Sequence, residues 1–276
     1  MNDDVPTRGE PPRDDRTLGE TALGLRDDVI MALRFFSRLP TGDSPHLPPD
    51  LNRIALGLPF ASLLIGLVPA LLLLMLALLG LPPLFAAGLA IGLHLLLSGA
   101  MSEDALADAA DGLFGGMTVE RRLEIMRDSR HGTFGVAALC LLLVLKLVAL
   151  GTIASGNALE SAALWLGAGV LARSIGLFLA HALPPLRRDG ASASAGQPRR
   201  TPLLIGLIFA LGIGFLLVGP ALGLIPLIVS VVFAAGAVFA WGLACHRLVG
   251  GQTGDLVGAA QALAELAIFT AFLLFA

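Results

Sequence analysis

Seven long apolar stretches dominate this sequence and leave few folds open to it. Each has about the length, roughly 20 helical residues, that crosses a hydrocarbon core about 30 Å thick. Of the 276 residues, 56% are hydrophobic and only 14% are charged, unlike a soluble domain. We expect an all-α, polytopic transmembrane helical bundle of about seven spans. The stretches cover approximately residues 54–80, 82–100, 132–154, 160–182, 203–219, 221–241 and 256–276, the fifth and sixth being separated only by Gly219 and Pro220.

Arginines collect in alternate loops between these stretches. Four lie in residues 101–131 and four more in 183–202, whereas the loops near residues 81–83, 155–160 and 219–220 have no basic residue. Short cytoplasmic loops are enriched in Lys and Arg. This pattern predicts a cytoplasmic N-terminus, a C-terminus on the other side and all the polar loops on the cytoplasmic face. The arginines are Arg121, Arg122, Arg127, Arg130, Arg187, Arg188, Arg199 and Arg200.

The N-terminal segment differs in composition from the rest of the chain. Residues 1–28 are polar and hold eight acids and four arginines, which predicts a disordered tail. Residues 29–276 then form a single membrane domain, in which 29–40 is either an interfacial helix or a cytoplasmic helix packed on the bundle. The net charge of −3 gives no reason to expect nucleic acid as a partner. Cys140 and Cys245 lie in or beside apolar segments and predict neither a disulfide framework nor a zinc site.

Three aspartates in one polar segment are the strongest sign of chemistry. Asp104, Asp108 and Asp111 are spaced i, i+4 and i+7, so in a helix their carboxylates project from one stripe. Hard oxygen ligands that would otherwise repel one another suit Mg²⁺ or Mn²⁺. A metal-dependent phosphoryl-transfer site is one interpretation, and a solvated, charged loop helix is the other.

Two further polar segments belong to the same predicted face. Arg127, Asp128 and Arg130 follow the aspartates after several glycines that permit a turn, so arginines could reach a phosphate held by the same metal. The segment GGQTGD, residues 250–255, precedes the last apolar stretch. Its backbone N–H groups could bind phosphate. A tight turn with Asp255 near the helix N-cap explains the same spacing equally well.

A few polar residues fall inside the apolar stretches, where a charge needs a partner or water. Arg173 is expected to face the bundle interior and to pair with Glu265 or with one of the aspartates. Gln261 and Glu265 share a helix face, which suits either a pocket or an interhelical hydrogen bond. Lys146 either snorkels or pairs.

Four motifs together resemble one family. ALRFFSRLP at residues 32–40, DALADAADG at 104–112, RRLEIMRDSRHGTFG at 121–135 and GGQTGDLVGAAQALAEL at 250–266 are similar, in the same order, to the cobalamin synthase family of adenosylcobinamide-GDP ribazoletransferases. The resemblance covers about residues 29–276. It implies a multi-pass enzyme of the bacterial inner membrane that requires Mg²⁺. The implied reaction joins adenosylcobinamide-GDP to α-ribazole, or its 5′-phosphate, and releases GMP.

The resemblance also implies roles for individual residues. Asp104, Asp108 and Asp111 match the acidic motif and are candidates for metal binding or for deprotonating the attacking hydroxyl, and Asp128 is a further metal candidate. Substrate-binding candidates in or near the other motifs are Arg127, Ser129, Arg130, Arg173, Gln252, Thr253 and Asp255. A homo-oligomer, or association with other enzymes of the corrinoid pathway, is also possible.

The sequence departs from the family at two positions and partly matches one rival. Family members often have His where Ser102 stands and Gly where Ala105 stands. Asp108, Asp111 and Gly112 partly match the motif of CDP-alcohol phosphotransferases, but the Ala-Arg pair of that motif and its downstream aspartates are missing. An ion-coupled transporter is a second alternative, although it would place its acids near the bilayer midplane rather than in loops.

Overall fold

The computed structural model describes residues 24–42, 47–187 and 194–275, and within them the regular elements are helices. This confirms the all-α class. The helices are α1 Leu25–Phe36, α2 Leu51–Leu78, α3 Pro83–Ser98, α4 Met101–Gly115, α5 Val119–Ile125, α6 Thr133–Ile153, α7 Ala158–Gly176, α8 Phe178–Ala182, α9 Arg200–Leu222, α10 Leu224–Val249 and α11 Gly254–Leu273.

The long apolar helices make this a multi-pass membrane protein. Within the described ranges, six helical segments are long and apolar enough to cross a bilayer: α2, α6, α7 continued through α8, α9, α10 and α11. The seventh candidate is α3, which has 16 residues and meets α4 at a bend of 85°. Residues 98–100 form that bend, and Gly99 and Ala100 both have positive φ. The described residues thus have six spans, or seven if α3 and α4 together form one broken span rather than a re-entrant pair, in agreement with the prediction of about seven.

The boundary between the fifth and sixth spans was predicted three residues too early. Helix α9 runs through Gly219 and Pro220 and ends at Leu222, and α10 begins at Leu224. Pro220 lies in the last turn, where it removes only one backbone hydrogen bond. The break falls at Gly223 because its φ of 98° suits a residue without a Cβ.

The predicted disordered tail, residues 1–28, extends a few residues too far along the chain. Helix α1 begins at Leu25, inside the segment 1–28, because Asp27 and Asp28 occupy its first turn, where acids are favourable. Asp28 also binds Arg53 of α2 at 2.7 Å, so α1 packs on the bundle, as one of the two interpretations proposed. Residues 1–23 lie outside the described residues.

The polar loops meet at one end of the bundle. The backbone N–H of Leu51, at the start of α2, donates to the carbonyl of Ala195, and the N–H of Arg199 donates to the side chain of Asn52. Residues 184–186 pair with Gln252 in the α10–α11 loop. The predicted shared end is thus confirmed; that it is the cytoplasmic end stays a prediction, and Arg188 lies outside the described residues.

Two helices form the centre of the bundle around which this end is built. In the 18-residue apolar window of each helix, 72% of the residues are buried in α11 and 78% in the α7–α8 segment, whereas only 28% are buried in α9 and in α10. The outer helices expose large apolar side chains such as Leu216 and Phe239, as lipid-facing helices do. Helix α4 packs against both α11 and α6, which brings its acidic stripe to the start of α6.

Candidate active site

Two of the three predicted aspartates meet a histidine at the polar end of the bundle. Asp104 and Asp108 lie one turn apart on α4, and His131 lies in the loop that leads into α6. His131 Nε2 is 3.7 Å from Asp104 Oδ1, and its Nδ1 is 3.7 Å from Asp108 Oδ1. One ligand atom from each residue lies within 4.8 Å of the other two. We call these three residues the Asp–His group.

The electrostatics of the Asp–His group favour a bound cation. Asp108 is half-buried, and the negative charges of Asp104 and Asp255 act on it. A divalent cation would relieve this repulsion. Mg²⁺ commonly binds one or two carboxylates together with substrate phosphates and water, so the two aspartates fit the magnesium ion that the sequence resemblance implies.

Asp111 has a different place from the other two aspartates. It is buried, and its carboxylate oxygens accept hydrogen bonds from the backbone N–H groups of Gly132 at 2.6 Å and Gly135 at 2.8 Å. These amides belong to the first turn of α6 and its N-cap, where a negative charge is stabilising. Asp111 therefore links α4 to the start of α6 and does not belong to the Asp–His group.

The RDSR segment also lies apart from the Asp–His group. Arg130 binds Asp128 through two side-chain contacts of 2.7 and 3.0 Å, and this hydrogen bonding lowers the pKa of the Asp128 carboxyl to about 2. Both carboxylate oxygens of Asp128 thus accept hydrogen bonds from Arg130, and Asp128 does not belong to the Asp–His group. Arg127, Ser129 and Arg130 are exposed on the loop that carries His131.

The GGQTGD segment forms a tight loop that is fixed to the chain after α8. The N–H of Gln252 donates to the carbonyl of Pro184, and the N–H of Leu186 donates to the carbonyl of Gln252, both at 2.9 Å. Gly251 is required here because a Cβ would overlap the Pro184 carbonyl oxygen. Thr253 is the N-cap of α11 and Asp255 lies in the first turn, near the cap as predicted. Phosphate binding by the backbone N–H groups of this segment stays a prediction.

A cavity of about 280 Å³ joins this loop to the acidic helix, and we call it the α4–α11 cavity. At its rim Arg187 binds Asp255 at 2.9 Å. Its polar lining is Asp104, Arg187, Gln252, Thr253, Asp255 and Gln261. Its apolar lining includes Phe35, Phe36, Leu51, Leu177, Ala180 and Val257. Asp104 belongs to both the cavity and the Asp–His group, so the two form one continuous site.

Arg173 lies in a separate buried cluster. Its guanidinium contacts His94 Nε2 at 3.0 Å, and its carbonyl accepts from Gln261 at 3.3 Å. The expected partner Glu265 binds Lys146 instead, at 2.7 Å, and Lys146 also binds Glu103 at 3.0 Å. The expectation that Arg173 faces the interior is confirmed. Arg173 lies in the same buried cavity as Glu265 and the charges of the two interact, but no salt bridge joins Arg173 to Glu265 or to an aspartate among the described residues.

Ser102 lines a small cavity inside this buried cluster, together with Glu103, Arg173 and Gln261. Ser102, where family members often have His, is thus not one of the three residues of the Asp–His group.

Sequence reasoning missed three parts of the site. His131 belongs to the motif RRLEIMRDSRHGTFG, which by itself assigns it no role, although a histidine directly before a predicted span is a usable signal. Arg187 was counted only as a topological charge. Phe35 and Phe36 were assigned to the first helix, and no pattern in the sequence places that helix beside α11.

Fold and site together define a multi-pass membrane protein whose acidic, histidine-bearing site lies at one end of its helical bundle. The profile of the cobalamin-5-phosphate synthase family matches residues 28–273, and the chain belongs to that family. It is therefore a transferase of cobalamin biosynthesis, as the sequence motifs predicted. The match decides against both the CDP-alcohol phosphotransferase and the transporter.

Curated relatives agree over nearly their whole length. An adenosylcobinamide-GDP ribazoletransferase of Azorhizobium caulinodans is 42% identical over 253 residues, which cover 90% of this chain and 96% of the relative. Proteins of the same name from Rhizobium etli and Xanthobacter autotrophicus are each 41% identical, covering 88% and 91% of this chain and 95% and 97% of the relatives. No solved structure matches the chain.

Proposed function

We propose that the Asp–His group and the α4–α11 cavity form the site at which adenosylcobinamide-GDP is joined to α-ribazole or its 5′-phosphate. The observation that carries this proposal is the meeting of Asp104, Asp108 and His131, from two separate motifs, beside a cavity of nucleoside size. The relatives' name, adenosylcobinamide-GDP ribazoletransferase, supports the substrate pair.

Asp104 and Asp108 are the proposed ligands of Mg²⁺. When bound, the ion would neutralise charge on the diphosphate of the activated corrinoid. Their oxygens are the donors that this hard cation prefers. Asp111 and Asp128 are not included in this ligand set, since their carboxylates are held by α6 amides and by Arg130.

His131 is the proposed proton acceptor. In the reaction a ribose hydroxyl of the acceptor attacks the phosphorus attached to the corrinoid side chain. A new O–P bond forms, the P–O bond to the GMP portion breaks, and GMP leaves with the electron pair of that bond. The hydroxyl proton passes to His131, an imidazole being the side chain that exchanges protons near neutral pH. The side chain of His131 is 40% exposed, so a substrate can reach it.

The site is proposed to face the cytoplasm from the bacterial inner membrane. The described arginines of the α4–α6 and α8–α9 connections lie at this end, which is the side that the distribution of positive charge favours. A water-soluble ribazole and a membrane-associated corrinoid can both reach a site placed there.

A turnover assay tests the proposed function. Membranes containing the protein are incubated with adenosylcobinamide-GDP, α-ribazole and Mg²⁺. We expect equal amounts of GMP and of a corrinoid that carries the lower base, because one P–O bond is broken for each one formed. Omission of α-ribazole is the control for plain hydrolysis. Release of GMP without a base-bearing corrinoid, from folded protein, would contradict the proposal.

A further inference from the structure

We infer that Arg187 binds a substrate phosphate group, which replaces Asp255 as the partner of its guanidinium. The inference rests on the proposed function, because the phosphates concerned belong to the substrates of that reaction: the diphosphate of adenosylcobinamide-GDP and the 5′-phosphate of the ribazole acceptor. It is carried by the position of Arg187 in the α4–α11 cavity and by the N–H donors that its guanidinium leaves unused.

The backbone holds Arg187 at the rim of the cavity. The preceding residue, Leu186, donates its N–H to the carbonyl of Gln252 at 2.9 Å, in the loop before α11. The side chain of Arg187 is 19% exposed. Among the described residues that line the cavity, it is the only basic one. A phosphate group that enters the cavity therefore meets its positive charge there.

The other charged residues of the rim are acidic. Asp104 and Asp255 both line the cavity, so a phosphate group is repelled unless a positive charge lies close to it. Arg187 is the positive charge that the chain itself supplies at this place. A guanidinium suits the task, because its planar fork of N–H donors matches two phosphate oxygens.

The guanidinium of Arg187 has few partners in this structure. Its Nη1 is 2.9 Å from Asp255 Oδ2, whereas its Nη2 lies 3.5 Å from the carbonyl oxygen of Leu123. Its Nε is buried and has no hydrogen-bond partner among the described residues. An arginine has five N–H donors, and a buried donor without a partner is costly. Two phosphate oxygens can satisfy more of these donors than the single close contact with Asp255 does, once the guanidinium turns towards them.

Asp255 keeps other stabilising interactions when Arg187 leaves it. Its Oδ2 lies 3.4 Å from the hydroxyl of Thr253. It also lies in the first turn of α11, where a negative charge is favourable. The exchange of Asp255 for phosphate therefore leaves neither side chain isolated.

Two other arginines near the site are engaged elsewhere. Arg130 uses Nε and Nη2 on the two carboxylate oxygens of Asp128, and Arg122 donates to two backbone carbonyls. Neither arginine lines the α4–α11 cavity. The phosphate-binding role that the sequence suggested for the RDSR segment therefore suits Arg187 better.

Equilibrium dialysis of the full chain in lipid nanodiscs tests this role, with a chelator present so that no divalent cation contributes. The ligands are adenosylcobinamide-GDP and α-ribazole 5′-phosphate, each compared with its phosphate-free counterpart, adenosylcobinamide or α-ribazole. Arg187→Gln is expected to weaken the binding of one phosphate-bearing ligand, or of both, at least about tenfold and to leave the phosphate-free compounds unchanged. The ligand that weakens identifies the phosphate that Arg187 binds. Arg121→Gln, which removes a surface arginine paired with Glu124, is the matched control and should change no affinity.

Asp255→Asn separates phosphate binding from a purely structural ion pair. Because Asp255 competes with phosphate for Arg187, its neutralisation should tighten the binding of the same ligand. This gain should be absent when Arg187→Gln is also present, since the two residues act through one contact. An ion pair that only fixed the loop would make either single substitution weaken all four compounds alike.

Unchanged affinity of both phosphate-bearing ligands in Arg187→Gln would overturn the assignment, and so would an equal loss for the phosphate-free compounds. A gain in Asp255→Asn that persisted without Arg187, or no gain at all, would show that Asp255 does not compete with phosphate. Because the dialysis needs no catalysis, phosphate binding that depends on Arg187 in a chain without turnover would refute the proposed function alone. Normal turnover, with unchanged affinities in Arg187→Gln, would refute the Arg187 assignment alone.

Discussion

Asp108→Asn is expected to reduce kcat by at least about 100-fold, the scale of losing one preorganised charge at a transition state, with the KM for α-ribazole little changed. Asn keeps the size of the side chain but removes the negative charge that, with Asp104, is proposed to hold Mg²⁺. Asp108 does not line the α4–α11 cavity, so acceptor binding should survive. Initial rates of GMP release over a range of Mg²⁺ concentrations measure both effects.

Asp128→Asn is the matched control for this substitution. It makes the same chemical change on a carboxylate that binds Arg130 in the exposed loop, and we expect rates near those of the unaltered chain. If Asp108→Asn also turned over at the normal rate, the Asp–His group would not be the catalytic centre. Equal losses of kcat in the two variants would indicate that Asp128 is also a metal ligand.

Lys146→Met is expected to be the most destabilising single substitution of the charged residues. Lys146 is the only lysine in the chain, is 1% exposed and binds both Glu103 and Glu265. Methionine fills a similar volume but leaves two carboxylates in the bundle without their cation. Removal of one partner from a buried ion pair typically costs about 3–5 kcal/mol. Thermal unfolding in a mild detergent should show this as a large fall in Tm.

A compensating variant separates loss of charge balance from loss of shape. Lys146→Met combined with Glu103→Gln leaves one carboxylate, Glu265, beside the buried Arg173, whose positive charge acts on it, and most of the lost Tm should return. A double variant as unstable as Lys146→Met alone would show that packing of the lysine stem, not the ion pairs, stabilises this part of the bundle.

The sequence predicts the architecture of this protein well, because bilayer thickness imposes a length on every apolar stretch. Arginine-bearing loops separated by basic-free ones were enough to predict that the polar segments share an end. The errors lie at single positions with local causes. A positive φ at Gly223 moves the α9–α10 break past Pro220, and acids in the first turn let α1 begin at Leu25.

The site was less predictable, because spacing along one helix does not say what each residue faces. Asp111 lies on the same stripe as Asp104 and Asp108, yet the amides of Gly132 and Gly135 occupy its carboxylate. Those amides come from a helix more than 20 positions later in the chain. The same approach of α6 brings His131 to the aspartates. Only the packing of α4 on α6 separates the structural aspartate from the two that are proposed to bind metal.

Binding of Mn²⁺, followed by electron paramagnetic resonance in nanodiscs with adenosylcobinamide-GDP present, tests the Asp–His group most directly. Mn²⁺ replaces Mg²⁺ here because it takes similar oxygen ligands and is paramagnetic. The unaltered chain and Asp128→Asn are expected to bind the ion with the same affinity. Asp104→Asn combined with Asp108→Asn is expected to lose it. Unchanged Mn²⁺ affinity in that double variant would contradict the proposal that these two aspartates hold the metal.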